Sequence, residues 1–320
     1  MRDASRIMSA IFSFIDSSLT KGEEMLVKSD KVVYKLDASE VPAVVVESGA
    51  ELEIETLDCF DNQLLAKGAT FESLAWDHTN PATGPVYVNG AEPGDTLKVT
   101  IKKIDLHEYG TVACLENEGT LGHRIKGSHF KNVPVKDGVA YFSDELQIPV
   151  KPMIGVIGVA PEGKGVGCGT PGPHGGNMDN TMIGAGCTMY FPVFAEGALF
   201  ALGDMHAVMG DGEIGVTGLE IPGKITLTLE VIKGKSFANP MLETEDVIAA
   251  IVSDENLEAA ASKATEMMLD FITSNTEMSV PDAVMLMSLT GNAEICQMVD
   301  PLRTARFVMP KKYIGVKSVF

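Results

Sequence analysis

Three separated stretches of this chain alternate polar and apolar residues with a period of two. That alternation limits the fold more than any other feature. Glu51-Leu52-Glu53-Ile54-Glu55-Thr56 is one stretch; Asp95–Lys102 sets Leu97, Val99 and Ile101 on one face; Lys224–Val231 does the same with Ile225, Leu227, Leu229 and Val231. Successive strand side chains point to opposite faces, so each stretch reads as a strand buried on one side only. One-sided burial belongs to sandwich or barrel sheets rather than to the doubly covered strands of a doubly wound fold. The turn Glu92-Pro93-Gly94-Asp95 fits a type II geometry, with Pro presetting φ and Gly accepting φ > 0. The 32 glycines and 16 prolines among 320 residues also favour a turn-rich, mainly β chain over a helical bundle.

The last quarter changes period. Asp246–Ser253 reads as a strand. Leu257–Thr273 then carries Ala260, Ala261, Ala264, Met267, Met268 and Phe271 at helical spacing. Ser279 caps a second helix with Pro281 in its first turn and Gly291 at its end. Glu294–Met298 and Thr304–Val308 return to strand. The expected fold is therefore mainly β with an α+β C-terminal part: a sandwich- or barrel-like body over residues 25–240, with two halves meeting near 150, and an α/β layer over 241–320 packed on it. Residues 1–24 could form one apolar helical face through Ile7, Met8, Ile11, Phe12, Ile15 and Leu19, but lack the basic n-region of a signal peptide. They are read as an extension outside the fold.

Charge excludes whole classes of partner. Lys plus Arg number 25 against 44 Asp plus Glu, a net charge of −19. Nucleic acid and anionic membrane both require clustered cations, so neither is expected. Apolar runs such as Met153–Ala160 fall far short of the roughly 20 residues that span a bilayer. Five scattered cysteines form no CxxC pair, which points to free thiols and a cytoplasmic location.

Two glycine motifs resemble nucleotide loops and lack their chemistry. Gly158–Lys164 matches GxxxxGK, but Gly165 replaces the Mg²⁺-binding hydroxyl; Gly167–Gly172 matches GxGxxG, but Pro171 and Pro173 prevent the helix that should follow. Three other clusters share one kind of donor chemistry. Asp204 and His206 lie two apart on a predicted strand and so face the same side; the turn at Asp211-Gly212 swings Glu213 toward them, and Glu220 follows a further short strand. Asp77 and His78 sit in a loop that could turn both toward one ion. His174, Gly175, Gly176, Asn177 and Asp179 form a loop of flexible backbone with imidazole, amide and carboxylate groups. Imidazole with carboxylates suits Zn²⁺. Each also fits an ordinary turn: acids flanking hairpin turns at Asp204–Glu220, a pre-strand turn with an exposed His at Asp77-His78, and a solvated polar connection at His174–Asp179. His107, His123 and His129 read as surface residues.

Several of these segments, in this order, resemble the acetamidase/formamidase family. They are Asn80–Val88 with Gly90–Asp95, His174-Gly175-Gly176-Asn177 with Asp179, Gly203–His206 through Gly210–Glu213, and Cys296–Leu302. The likeness runs from about Lys31 to Lys312. It implies a β-sandwich-containing fold, a homo-oligomer (a dimer), and a metal-dependent amidohydrolase that splits a short amide such as formamide or acetamide into carboxylate and ammonia. On that reading Asp77, His78, Asp204, His206 and Glu220 are metal ligands, in one or two sites, for Zn²⁺ with Ca²⁺ as the option at a second site. Glu213 is the general base and acid. His174, counted with Glu213 as catalytic, orients the amide together with Asn177, Gly175 and Gly176. Two alternatives stay open. One is a Ca²⁺-dependent sandwich that binds carbohydrate or a small metabolite. The other is a cysteine amidase using Cys168, with Cys59 or Cys187 behind it. No GxSxG elbow is present.

Overall fold

The computed structural model describes residues 25–320, so the reading of residues 1–24 lies outside the described residues. Two sheets face each other across one core. The larger has nine strands, among them Ala50–Thr56, Gly223–Ile232, Thr96–Leu106 and Thr188–Pro192, hydrogen-bonded side by side in that order. These include all three alternating stretches, and their inward side chains behave as the period requires. Leu52, Ile54, Leu97, Val99, Ile101, Ile225, Leu227 and Leu229 are all essentially inaccessible to solvent. The turn before the strand Thr96–Leu106 closes with Asp95 N donating to Glu92 O at 3.0 Å, and Gly94 takes φ 94°.

The second sheet has six strands. Gly175–Asn177, Met153–Gly158, Phe200–His206, Ala82–Val88 and Val32–Val33 run in that order, and Val44–Val46 pairs in parallel with Ala82–Val88. Here every residue of Ala82–Val88, Met153–Gly158 and Phe200–His206 is buried. Such strands are covered on both faces and show no alternation, unlike the three stretches of the larger sheet. Ile154, Ile157, Phe200 and Leu202 share a single core with Leu52, Val99 and Leu227 of the large sheet. A smaller four-stranded sheet, built on Tyr109–Cys114 and His129–Lys136, closes one side.

The C-terminal part is the expected α+β layer. Val247–Asp254, Arg303–Pro310 and Asn292–Gln297 extend the nine-stranded sheet, joined to Thr188–Pro192 through Met241–Glu243. Helix α1 (Leu257–Asn275) starts where Asn256 Oδ1 accepts from Ala259 N at 3.0 Å. It buries Ala264, Met268, Phe271 and Ile272 against Ile248, Ala250 and Phe307. Helix α2 (Val280–Thr290) is capped by Ser279, whose hydroxyl accepts from Asp282 N, and it ends at Gly291. Both sheets therefore combine strands from distant parts of the chain, and the candidate site lies where loops from both meet.

Candidate metal centre

The strand Phe200–His206 ends at an all-buried point. His206 Nε2 stands 3.1 Å from Glu220 Oε1, 3.6 Å from Asp204 Oδ1, 3.9 Å from Asp179 Oδ1 and 4.0 Å from Glu213 Oε1. Four chain segments supply these groups. Glu220 is held by reciprocal backbone bonds to Thr111, at 2.8 and 2.7 Å. Asp179 follows the short strand Gly175–Asn177, and Glu213 stands in the loop after His206.

The backbone is bent to aim the carboxylates. Asp179, Asp204 and Glu213 take φ of 42°, 52° and 45°. Left-handed backbone at a non-glycine residue costs of order 1–3 kcal/mol and persists only where the surroundings enforce it. Neighbouring glycines make the room. A Cβ at Gly155 would run into Asp179 Oδ1 and Asp204 Oδ2, and one at Gly218 would meet His206 Cγ and Nδ1, both at 2.7 Å.

Both Asp179 oxygens, Glu220 Oε2 and both His206 nitrogens are buried without a hydrogen-bond partner, so the close His206–Glu220 approach is not aligned as a hydrogen bond. Burial and the neighbouring Asp204 push the Asp179 carboxyl well above its ordinary value. Burial and Asp179 do the same to Glu213, and burial pushes Glu220 up to about 8. Burial opposes charge on His206, but Glu220 and Asp204 outweigh it and hold the imidazole well above its ordinary value. Four acids around a single imidazole are short of positive charge. Buried charges are otherwise paired or bound to metal, so this donor set fits a divalent cation. Groups of three donors within 4.8 Å of one another are Asp179–Asp204–His206, His206–Glu213–Glu220 and Cys59–Asp204–Glu220.

A cavity of about 130 Å³ opens onto this centre, with Asp204, Glu213, Glu220, Asn177, Asp300 and Cys59 in its wall. At roughly 30 Å³ per water it has room for a few heavy atoms. Phe60, Trp76 and Leu115 form its apolar side. Asn177 Nδ2 donates to Asp300 Oδ2 at 3.0 Å, which leaves Asn177 Oδ1 buried and without a partner.

Of the residues expected at the site, Asp204, His206, Glu213, Glu220 and Asn177 come together. Asp77 and His78 do not. Both are exposed on a short 3₁₀ turn; His78 Nδ1 lies 3.7 Å from Asp61 Oδ2 and its ring stacks on Tyr34 at 5.1 Å. Their neighbours Trp76 and Thr79, not these two, reach the cavity. His174 is buried and lines a different cavity with Thr170, Pro171, Phe194 and Leu302. Burial drives its imidazole down to about 4, so it is neutral at pH 7. Gly175 N–H donates to Gly172 O at 3.0 Å and is not free for a ligand, while Gly176 pairs with Ile157 in the sheet.

Asp179, Cys59 and Asp300 fall within segments singled out in the sequence but are not among the residues expected to hold metal or substrate; the position of Asp179 in the same run as Asn177 is the signal for it. Among the cysteines, Cys168 gives its thiol to Val33 O at 3.5 Å, and burial pushes it up to about 12, as it does Cys187. Neither is poised as a nucleophile.

A β-sandwich enclosing a preformed cluster of buried carboxylates and one histidine defines the class: a scaffold carrying a candidate metal-binding donor set. Residues 34–166 and 162–300 match the Acetamidase/Formamidase family, and the chain belongs to that family. It is 47% identical to a predicted acetamidase/formamidase from the thermophile Thermoanaerobacter tengcongensis, with a TM-score of 0.90 over 93% of this chain and 100% of that one. An acetamidase from Bacillus halodurans is 40% identical, with a TM-score of 0.89 over 91% of this chain and 99% of that one. The acetamidase of Mycolicibacterium smegmatis is 27% identical over 263 residues, 60% of this chain and 64% of that protein. The chain thus spans less than two thirds of that curated relative.

Proposed function

We propose that this chain is a metal-dependent amidohydrolase that cleaves a short-chain amide, formamide or acetamide, to carboxylate and ammonia. The observation that carries the reading is the set of buried, unpartnered oxygens on Asp179 and Glu220 around His206. Family membership and the acetamidase names of its relatives support the substrate class.

His206, Asp204, Glu220 and Asp179 are the groups that would hold the cation, with Cys59 beside Asp204 and Glu220. A divalent ion there, Zn²⁺ by the donor set and Ca²⁺ as the option at a second site, supplies Lewis acidity toward the amide carbonyl and acidifies a water. Glu213 takes a proton from the attacking water. Burial and Asp179 hold its carboxyl above the ordinary value, which strengthens it as the base toward that water. As the C–N bond breaks, Glu213 returns the proton to nitrogen and ammonia leaves. Asn177 Oδ1 accepts from the amide N–H₂, and Asp300 fixes the Asn177 side chain. Phe60, Trp76 and Leu115 limit bulk water, and the small cavity selects short acyl groups.

The proposal extends to a cytoplasmic homodimer. All five cysteines are free, and no helix among the described residues is long and apolar enough to cross a membrane. The test is elemental analysis together with ammonia release from formamide, acetamide and longer amides, before and after chelation. Chelation is expected to abolish release, and Zn²⁺ to restore it. Full activity in metal-free protein overturns the reading, and loss on thiol alkylation that Cys59→Ser reproduces with metal content intact moves the chemistry to sulfur.

A further inference from the structure

The C-terminal layer reaches the centre through one buried arginine. Arg306 stands on Arg303–Pro310, and its side chain is 4% exposed. Its guanidinium grips Asp211 with both terminal nitrogens: Nη2 donates to Oδ2 at 2.6 Å and Nη1 to Oδ1 at 3.2 Å. The same Nη1 donates to Asn180 Oδ1 at 2.8 Å, and Nε donates to Glu294 Oε2 at 2.7 Å. Thr181 Oγ1 donates to Asp211 Oδ1 at 2.7 Å and closes the triangle.

These partners are neighbours of the site acids. Asn180 adjoins Asp179, and Asp211 stands two residues before Glu213. One planar group therefore joins the two loops that carry Asp179 and Glu213, the carboxylates 3.9 and 4.0 Å from His206 Nε2. Both acids have left-handed backbone, at φ 42° and 45°, and such a conformation needs enforcement from outside the residue. The adjacent strand adds a second tie: Gly212 N donates to Cys296 O at 2.8 Å and Met298 N to Gly212 O at 3.2 Å. Glu294 and Asp211 together balance the buried positive charge, so the arginine is stably held where it is.

We propose that Arg306 is a positioning residue for the cation centre: acting through Asn180 and Asp211, it sets the separation of Asp179 and Glu213 at His206. The inference rests on the metal-dependent reading of the site. A lysine at this position keeps the charge but not the planar fork that holds two loops at once.

The test compares Arg306→Lys, Asp211→Asn, the double variant and Lys311→Met, each as the full chain. Lys311 pairs with Glu243 at 2.6 Å in the same layer and touches neither loop, so its variant reports general loss of stability. Zn²⁺ affinity by chelator competition, kcat and KM for acetamide, and melting temperature are measured for each. Groups that orient ligands typically account for about 10–100-fold in metal affinity. Arg306→Lys and Asp211→Asn are each expected to weaken Zn²⁺ binding by that order, and the double variant no further than the worse single one. Lys311→Met is expected to lower the melting temperature with Zn²⁺ affinity unchanged. Parental affinity in Arg306→Lys and Asp211→Asn, whatever their melting temperatures, overturns the proposal and makes the arginine a packing residue. Should Arg306→Lys not fold, Asp211→Asn decides alone, since Asp211 is 41% exposed and Glu294 still pairs with the buried guanidinium. A parent chain that takes up neither Zn²⁺ nor Ca²⁺ and releases no ammonia overturns the reading of the site, and this inference with it.

Discussion

Asp204 Oδ1 lies 3.6 Å from His206 Nε2 on the strand Phe200–His206, within which Asp204 itself takes a left-handed φ of 52°. Two positions apart on a strand place side chains on one face, which sets the carboxylate beside the imidazole. The pair is shared between neighbours, with Glu220 on His206 and Asp179 facing both.

Removing either member should first cost the cation. His206→Ala and Asp204→Asn are expected to lower metal occupancy, with turnover falling in proportion to the metal lost. Metal stoichiometry measured beside ammonia release checks this. Full occupancy in both variants would place the binding site elsewhere.

Glu213→Gln should behave differently. The amide keeps the size and one acceptor oxygen of the side chain but cannot take up a proton. Turnover is expected to fall by about 10²–10⁴ with metal content kept, the usual scale for a proton-transfer group. Loss of metal together with turnover assigns Glu213 as a ligand, a role that its 4.0 Å separation from His206 Nε2 also permits.

Gly155→Ala tests the packing of the centre. Its Cβ would collide with Asp179 Oδ1 and Asp204 Oδ2 in a region with no exposed side chain to yield. Overpacking of this kind costs about 1–3 kcal/mol. A lower melting temperature is expected, with metal occupancy reduced at temperatures where the fold is intact. An unchanged occupancy would show that the two carboxylates can separate without losing the ion.

Acid stability should depend on Glu243. Burial disfavours its charge, but Lys311 at 2.6 Å, the Tyr190 hydroxyl at 2.7 Å and Val319 N at 3.1 Å outweigh burial and hold the carboxyl below its ordinary value. A group with a depressed folded pKa contributes its full stability above the unfolded value of 4.5, and that contribution is lost as pH falls through the lower folded value. The parent is expected to lose stability on acidification through this window, and Glu243→Gln to show a shallower loss. Chemical denaturation at pH 7 and at successive lower pH values measures the difference.

Legibility in the sequence followed physical locality. The three alternating stretches, the cap at Ser279 and the helix beginning at Leu257 depend on neighbours within a few residues, and all three kinds of element stand where their patterns predict. The pairing of Asp204 with His206 is local as well. The doubly buried strands Ala82–Val88 and Met153–Gly158 carry no alternation, because both of their faces are covered.

The remainder of the site depends on contacts between residues far apart in sequence. Asp77 and His78 have suitable donor chemistry, yet their turn faces solvent, and no periodicity in the chain reports where a loop points. Asp179 and Cys59 reach the centre because sheet pairing brings Met153–Gly158 against both Gly175–Asn177 and Phe200–His206, and because the segment after Thr56 folds over the cavity. The residue types and their short-range geometry were thus written in the chain order. Which acids share His206, and how Arg306 holds them there, followed from strand pairing and burial across more than a hundred residues, where the energy of excluding water, not local propensity, sets the arrangement.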